Sequence, residues 1–212
     1  MEAYQEIIQV IALTMGAAWA SGINLYATVA ALGIAGASGY LALPVELELI
    51  QDPLVILAAG FMYCVEFFAD KTPGVDSAWD GIHTFIRVPA GALLAAGAVG
   101  DVSPAVAVAA GFIGGTVAAS THVTKAGTRL LINTSPEPFS NWGASVLEDV
   151  VVLGGLWAAL THPALFLGAF ILFTLLIAWL VPKIFRGVGR VTKRFRRTAS
   201  AAEVNSAQYA GT

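Results

Sequence analysis

Residues 163–181 read PALFLGAFILFTLLIAWLV, and residues 183–197 follow as KIFRGVGRVTKRFRR. The first stretch carries no charge and is long enough, at about 1.5 Å per residue, to cross most of a hydrocarbon core about 30 Å thick. The second holds seven of the chain's eleven Lys and Arg residues. An apolar run closed by a basic run reads as a membrane span anchored on the cytoplasmic side.

The rest of the 212 residues have the same character. Hydrophobic residues make up 57%, charged residues 12%, and mean hydropathy is +0.76. A soluble domain carries about 25% charged residues. Many of the 22 glycines lie inside apolar runs, where membrane helices use them for close backbone contact. The formal net charge of −3 says little, because the charges are segregated. The one cysteine, Cys64, excludes an intramolecular disulfide and reads as a small apolar helix residue rather than a reactive thiol. The N-terminus, Met1 to Glu6, is acidic, which does not fit a cleavable signal peptide.

Six apolar segments follow: about Ile7–Leu43, Pro53–Ala69, Ala78–Val99, Pro104–Thr124, Gly143–Leu160 and Pro163–Val181. The first is too long for one straight span, and its break is expected at Ser21-Gly22-Ile23-Asn24 or within Gly33–Gly39. The predicted fold is all-α, a polytopic transmembrane bundle of about six spans over residues 1–182, followed by a basic cytoplasmic tail, 183–212. Every Lys and Arg except Arg87 falls on one alternating set of connections. Positive charge stays inside, so six spans place both termini in the cytoplasm. In the tail, Phe185, Val188, Val191 and Phe195 interleave with cations. This is a topology anchor ahead of a disordered end, Thr198–Thr212, or an amphipathic helix on anionic lipid. So short a basic run beside a span needs no nucleic acid.

Two connections look alike at an offset of 63 residues. Asp70, Thr72, Pro73, Ser77 and Trp79 match Asn133, Ser135, Pro136, Ser140 and Trp142, and Gly91 matches Gly154. A duplicated hairpin is expected, spans two and three against four and five, as a parallel repeat.

Charges inside spans cost about 2.5–3.5 kcal/mol each on insertion scales and demand partners or a function. Glu66 and Asp70 end span two. Asp80, His83 and Arg87 share one face of span three, and His122, Lys125 and Arg129 one face of span four. Glu148 and Asp149 lie in span five, and Asn24 in span one. As structural pairs, the repeat predicts Glu66 with Arg129, and Arg87 with Glu148 or Asp149. As a site, Asn24, Glu66, Asp70, Asp80, His83, Arg87, Glu148 and Asp149 line a polar cavity on the cytoplasmic half. Asp80 and His83 at one-turn spacing would need a third ligand, Glu66, His122 or Glu148, to bind a metal. Neither metal nor cofactor is predicted, and no nucleotide loop, nucleophile elbow or HExxH motif occurs. Gly111, Gly115 and Ala119, with Gly91 and Ala95, form small-residue stripes for helix packing. Pro89 is expected to kink span three.

Val65–Leu94 reads VEFFADKTPGVDSAWDGIHTFIRVPAGALL, and Ser21–Tyr26 reads SGINLY. These stretches resemble the bacterial membrane family called domain of unknown function 4126, with the likeness covering about Ala18 to Val181. The resemblance implies a polytopic membrane protein of the bacterial inner membrane and no established activity. It maps the family's polar residues onto Asn24, Glu66, Asp70, Lys71, Asp76, Trp79, Asp80, His83 and Arg87. The expected function is a small transporter, channel or lipid-translocating protein for an unidentified small molecule or ion. Membrane lipids are the expected partners, and the small size of the chain favours a homo-oligomer. The alternatives are an enzyme acting on a lipid headgroup, with Asp80 and His83 as acid–base or metal ligands, and a non-catalytic scaffold with every charge paired.

Overall fold

The computed structural model describes residues 2–72, 74–133, 139–179 and 183. Every regular element among them is helical: α1 (Glu2–Ile23), α2 (Leu25–Ala37), a 3-10 helix (Val45–Gln51), α3 (Pro53–Ala69), α4 (Val75–Ala98), α5 (Pro104–Ile132), α6 (Phe139–Thr161) and α7 (Pro163–Trp179). The chain divides into two compact units, Met1–Ala169 and Phe170–Thr212. In the second unit the described residues are the end of α7 and Lys183, whose ammonium lies 3.2 Å from the Trp179 ring centroid. The basic tail past Lys183, Pro73, Ser135 and Pro136 lie outside the described residues.

Local chemistry sets the helix starts. Pro53 and Pro104 occupy first turns, where a missing N–H costs nothing. Just before them Asp52 Oδ1 accepts from Leu54 N at 2.7 Å, and Ser103 Oγ accepts from Val106 N at 3.2 Å.

Three helices, α1, α5 and α6, are long and apolar enough to cross a membrane. The 3-10 helix with α3, bent by 65°, brings the total to four. The count is lower than six partly because α4, at 24 residues, carries Asp76, Asp80 and Arg87. It runs unbroken through Pro89. The burial pattern is inverted relative to a water-soluble core. Arg87 and Arg129 are the largest fully buried side chains, whereas Phe85 is 83% exposed and Phe112 76%. Lipid is the solvent that rewards this arrangement: it accepts aromatic and aliphatic surface and rejects charge.

The first apolar segment breaks at Asn24, whose extended backbone (φ −143°, ψ 97°) caps α2. The contacts fix the directions of the two pieces. Gly22 of α1 lies against Ala118 and Thr121, and Ala18 lies near Gly114, so α1 runs alongside α5 in the same sense. A Cβ at Gly22 would overlap Thr121 Oγ1 and the Ala118 carbonyl, so this crossing needs glycine. Ile7, Val10 and Ile11 then share a groove with Val99, Val102 and Val106, which puts the start of α1 at the α4–α5 turn. α2 returns. Tyr26 in its first turn reaches His83, while Gly33 and Gly36 meet Ile50 and Gln51. The 3-10 helix holding Ile50 packs through Leu47 on Gly97, near the end of α4. α1 and α2 therefore form a helical hairpin with Asn24 at its tip. By these contacts the start of α1 lies at the end of the bundle opposite the Lys71 turn. A single broken span would have carried the chain across; the reversal at Asn24 brings it back.

α4 and α5 make the most extensive helix pair. The predicted small-residue stripes form it: Gly111 and Gly115 face Ala92 and Ala96, and Gly114 meets Ala95. Gly91 faces Ala118 and Ser21, which joins α1 to the pair.

A labelling experiment checks the hairpin. In a Cys64→Ser background, needed because Cys64 is exposed, cysteines replace Tyr4, Asp101 or Thr72 in oriented vesicles. Tyr4 and Asp101 should label from one face and Thr72 from the other. Labelling of Tyr4 and Thr72 from the same face would contradict the reversal.

Candidate functional site

α3 and α5 run in the same direction and in register. Glu66 pairs with Lys125, and Asp70 with Arg129, each 59 residues apart. This register builds a ladder of charge. Lys125 Nζ stands among four carboxylates: Asp70 Oδ2 at 2.8 Å, Glu66 Oε1 at 3.0 Å, Glu148 Oε2 at 3.6 Å and Asp80 Oδ1 at 3.9 Å. Deeper along α4, Arg87 donates from Nη2 to Glu66 Oε1 in a very short contact, and from Nη1 to Asp80 Oδ1 at 3.2 Å. Nearer the Lys71 turn, Arg129 donates from Nη2 to Glu148 Oε2 at 2.7 Å and to Asp70 Oδ2 at 3.3 Å. Its Nη1 bonds the Asp70 carbonyl at 3.0 Å and Asn141 Oδ1 at 2.9 Å. Glu66, Arg87 and Arg129 have 0% exposed side chains, while Glu148, the most open member, has 18%.

Ions taken so far from water lose several kcal/mol of hydration each, which only close, multiple contacts repay. Charge-assisted bonds among seven groups supply those contacts and fix α3, α4, α5 and α6 relative to one another.

His122 completes the deep end. Arg87 can only donate, so His122 Nδ1, 3.0 Å from Arg87 Nη1, carries the lone pair. Its Nε2–H then donates to the Asp80 carbonyl at 3.1 Å. His122 is held as a neutral acceptor beside a guanidinium. At the opposite end Asp76, fully buried, accepts from Asn133 Nδ2 at 2.8 Å and from the Gly74 and Ser77 amides. This pins the α3–α4 turn to the end of α5.

The expected site residues thus fall into three groups. Glu66, Asp70, Asp80, Arg87 and Glu148 converge on Lys125. Asn24 and Asp149 pair at the hairpin tip, where Asn24 Nδ2 donates to Asp149 Oδ1 at 3.1 Å and Asn24 Oδ1 caps Ala27 N. His83 stands apart. Its Nδ1–H donates to the Trp79 carbonyl at 2.8 Å, its Nε2 shares a 2.9 Å hydrogen bond with Tyr26 OH, and its ring stacks on Trp79. The pairing of Asp80 with His83 as one chemical unit is therefore corrected. Among the described residues no group of three His, Cys, Asp or Glu side chains is placed to hold a metal.

The expected ion pairs are also corrected. Glu66 binds Arg87 and Lys125 rather than Arg129, and Arg87 binds Glu66 and Asp80 rather than Glu148 or Asp149. The repeat offset of 63 residues placed Arg129 one helical turn from where α5 presents it; depth in the bundle, not equivalence in the repeat, selects partners. Lys125, Arg129 and His122 were visible at helical spacing in the sequence, but nothing there showed that one lysine would be the hub. Lys71, in the turn after α3, reaches the Phe67 carbonyl and Ser145 Oγ, both at 3.2 Å. Burial there lowers its pKa from the ordinary lysine value.

Lys125→Met should be among the most damaging substitutions, since it leaves four carboxylates around an apolar chain. Loss of one member of such a network costs about 3–5 kcal/mol. Thermal unfolding in detergent should show a collapse for Lys125→Met that a second change, Asp70→Asn, partly restores. Unchanged stability of Lys125→Met would contradict the geometry.

No curated protein and no solved structure matches the chain. The family described as domain of unknown function 4126 matches residues 11–183, most of its length. The chain therefore belongs to the DUF4126 family.

Proposed function

We propose that this protein is a small membrane transporter in which the α1–α2 hairpin is the moving part and the ionic network is the binding site. The observation that carries this reading is the helix break at Asn24, seated against α6 beside the network. A helix break at membrane depth needs side chains to take over the interrupted ladder, as Asn24 Oδ1 does here for the Ala27 N–H. Proteins keep such breaks where they line a cavity or meet a substrate or ion. A purely structural bundle gains nothing from one.

The membrane arrangement belongs to the same proposal. Lys71, Lys125 and Arg129 gather at one end of the bundle, so that end faces the cytoplasm. The N-terminus then faces the opposite side of a bacterial plasma membrane. α3 to α6 cross it, and the hairpin dips in. α3–α4 and α5–α6 are a duplicated pair, which the common direction of α3 and α5 supports.

A lipid-headgroup enzyme finds less support, because Asp80 and His83 turn to different partners. The scaffold reading has one observation in its favour: Glu66 and Arg87 are completely buried and mutually paired.

Thr121 separates the two. It is 4% exposed, and its Oγ1 lies 3.2 Å from the Trp19 carbonyl, between α1 and α5 near the hairpin tip. In Cys64→Ser protein reconstituted into liposomes, Thr121→Cys should react with a membrane-impermeant thiol reagent from the Thr72 side as the hairpin lifts. Reaction only on denaturation would favour the scaffold and contradict transport.

A further inference from the structure

The network around Lys125 is not balanced. Glu66, Asp70, Asp80 and Glu148 face Arg87, Lys125 and Arg129, four carboxyls against three permanent cations. His122 cannot supply the missing charge, because its Nδ1 accepts from Arg87. His83 turns away from the network, its ring nitrogens on the Trp79 carbonyl and the Tyr26 hydroxyl of α2. Lys71 turns to Phe67 and Ser145, and Asp149 of α6 lies outside the network with Asn24. α1 brings no ionisable group to this depth; its acids, Glu2 and Glu6, sit at the far end.

The surplus can be located. Glu66, Asp70 and Glu148 each have a cation within 3.0 Å, whereas the cations nearest Asp80 stand at 3.2 Å and 3.9 Å. Asp80 is also 1% exposed; its Oδ2, like Glu66 Oε2 and Asp70 Oδ1, has no hydrogen-bond partner among the described residues, so the distance to the cations is what singles Asp80 out. Water could occupy that oxygen, and could accept from Arg87 Nε, which is likewise unpartnered. Water carries no charge, however, and an unmatched carboxylate at this depth costs several kcal/mol.

We propose that Asp80 holds an exchangeable proton on Oδ2 in the closed state, and that this proton is the coupling ion of the transporter. The O–H bond forms on Asp80, and three carboxylates then face three cations. The proton comes from water at the Thr72 end, where Glu148 is the most open member of the network, and it returns there when the cluster opens. The role as coupling ion rests on the transport reading; the protonation itself does not.

Infrared spectroscopy of the full chain in lipid nanodiscs tests this. At neutral pH the protein should show the C=O stretch of a protonated carboxyl that moves to lower frequency in D2O. The band should shift in protein labelled with 13C-aspartate and not with 13C-glutamate. It should vanish in Asp80→Asn and persist in Asp76→Asn, and sodium or potassium should leave it unchanged. Absence of the band in the unsubstituted protein, its assignment to glutamate or to Asp76, or its loss on adding an alkali ion would each overturn the proposal. The isotope arm needs no substitution, so it can overturn the proposal by a glutamate assignment even where Asp80→Asn fails to fold, while persistence of the band in Asp76→Asn and Asp149→Asn narrows the aspartate. A band of this kind with Thr121→Cys unreactive would sink transport alone; a missing band with Thr121→Cys reactive would sink the proton alone.

Discussion

One ammonium group organises this protein. Lys125 Nζ lies within 4 Å of carboxylates from α3, α4 and α6. Arg87 closes the ring on the deep side and Arg129 on the side of the Lys71 turn. In water such contacts would contribute little. Between helices that turn phenylalanine and leucine outward, ions have nowhere else to go, and each carboxylate must find a cation at its own depth. The helix register follows from this. α3 and α5 align so that residues 66 and 70 meet residues 125 and 129.

The glycine contacts make that alignment possible. Gly91 against Ala118, and Gly114 against Ala95, bring α4 and α5 close enough for Arg87 to reach across to His122. Gly22 brings α1 onto the same face of α5, which carries the Asn24 break down beside the network. Dry small-residue packing and wet-type ionic chemistry thus occupy adjacent layers of one bundle. The first holds the helices at short range; the second sets their register and depth.

Much of this was legible in the sequence. Apolar segments of bilayer length gave the helical class, and most fall on observed helices. Spans three and four displayed their charges on single faces, and those faces do meet. The Ser21–Asn24 break is where one was expected, and the small-residue stripes lie in the α4–α5 contact. What was not legible depends on relations between helices. A break shows where a helix ends, not which way the next one points, so the reversal into a hairpin cannot be read from it. Partner choice failed for the same reason. Equivalence at an offset of 63 residues says nothing about depth, and a one-turn error exchanges Arg129 for Lys125. Asp80 and His83 share a face, yet their rings and carboxyls turn to different neighbours, because Trp79 and Tyr26 capture the imidazole.

Solid-state NMR can test the hub itself. With lysine labelled at 15Nζ and the Asp and Glu carboxyls labelled with 13C, dipolar recoupling in native lipid reports which lysine ammonium lies against carboxylates. One signal, assigned by its loss in Lys125→Arg, should dephase strongly and through several carbons at once. A Lys125 signal that decays no faster than those of the lysines in the basic tail would mean that its ammonium faces water or lipid, and the ionic network described above would not exist.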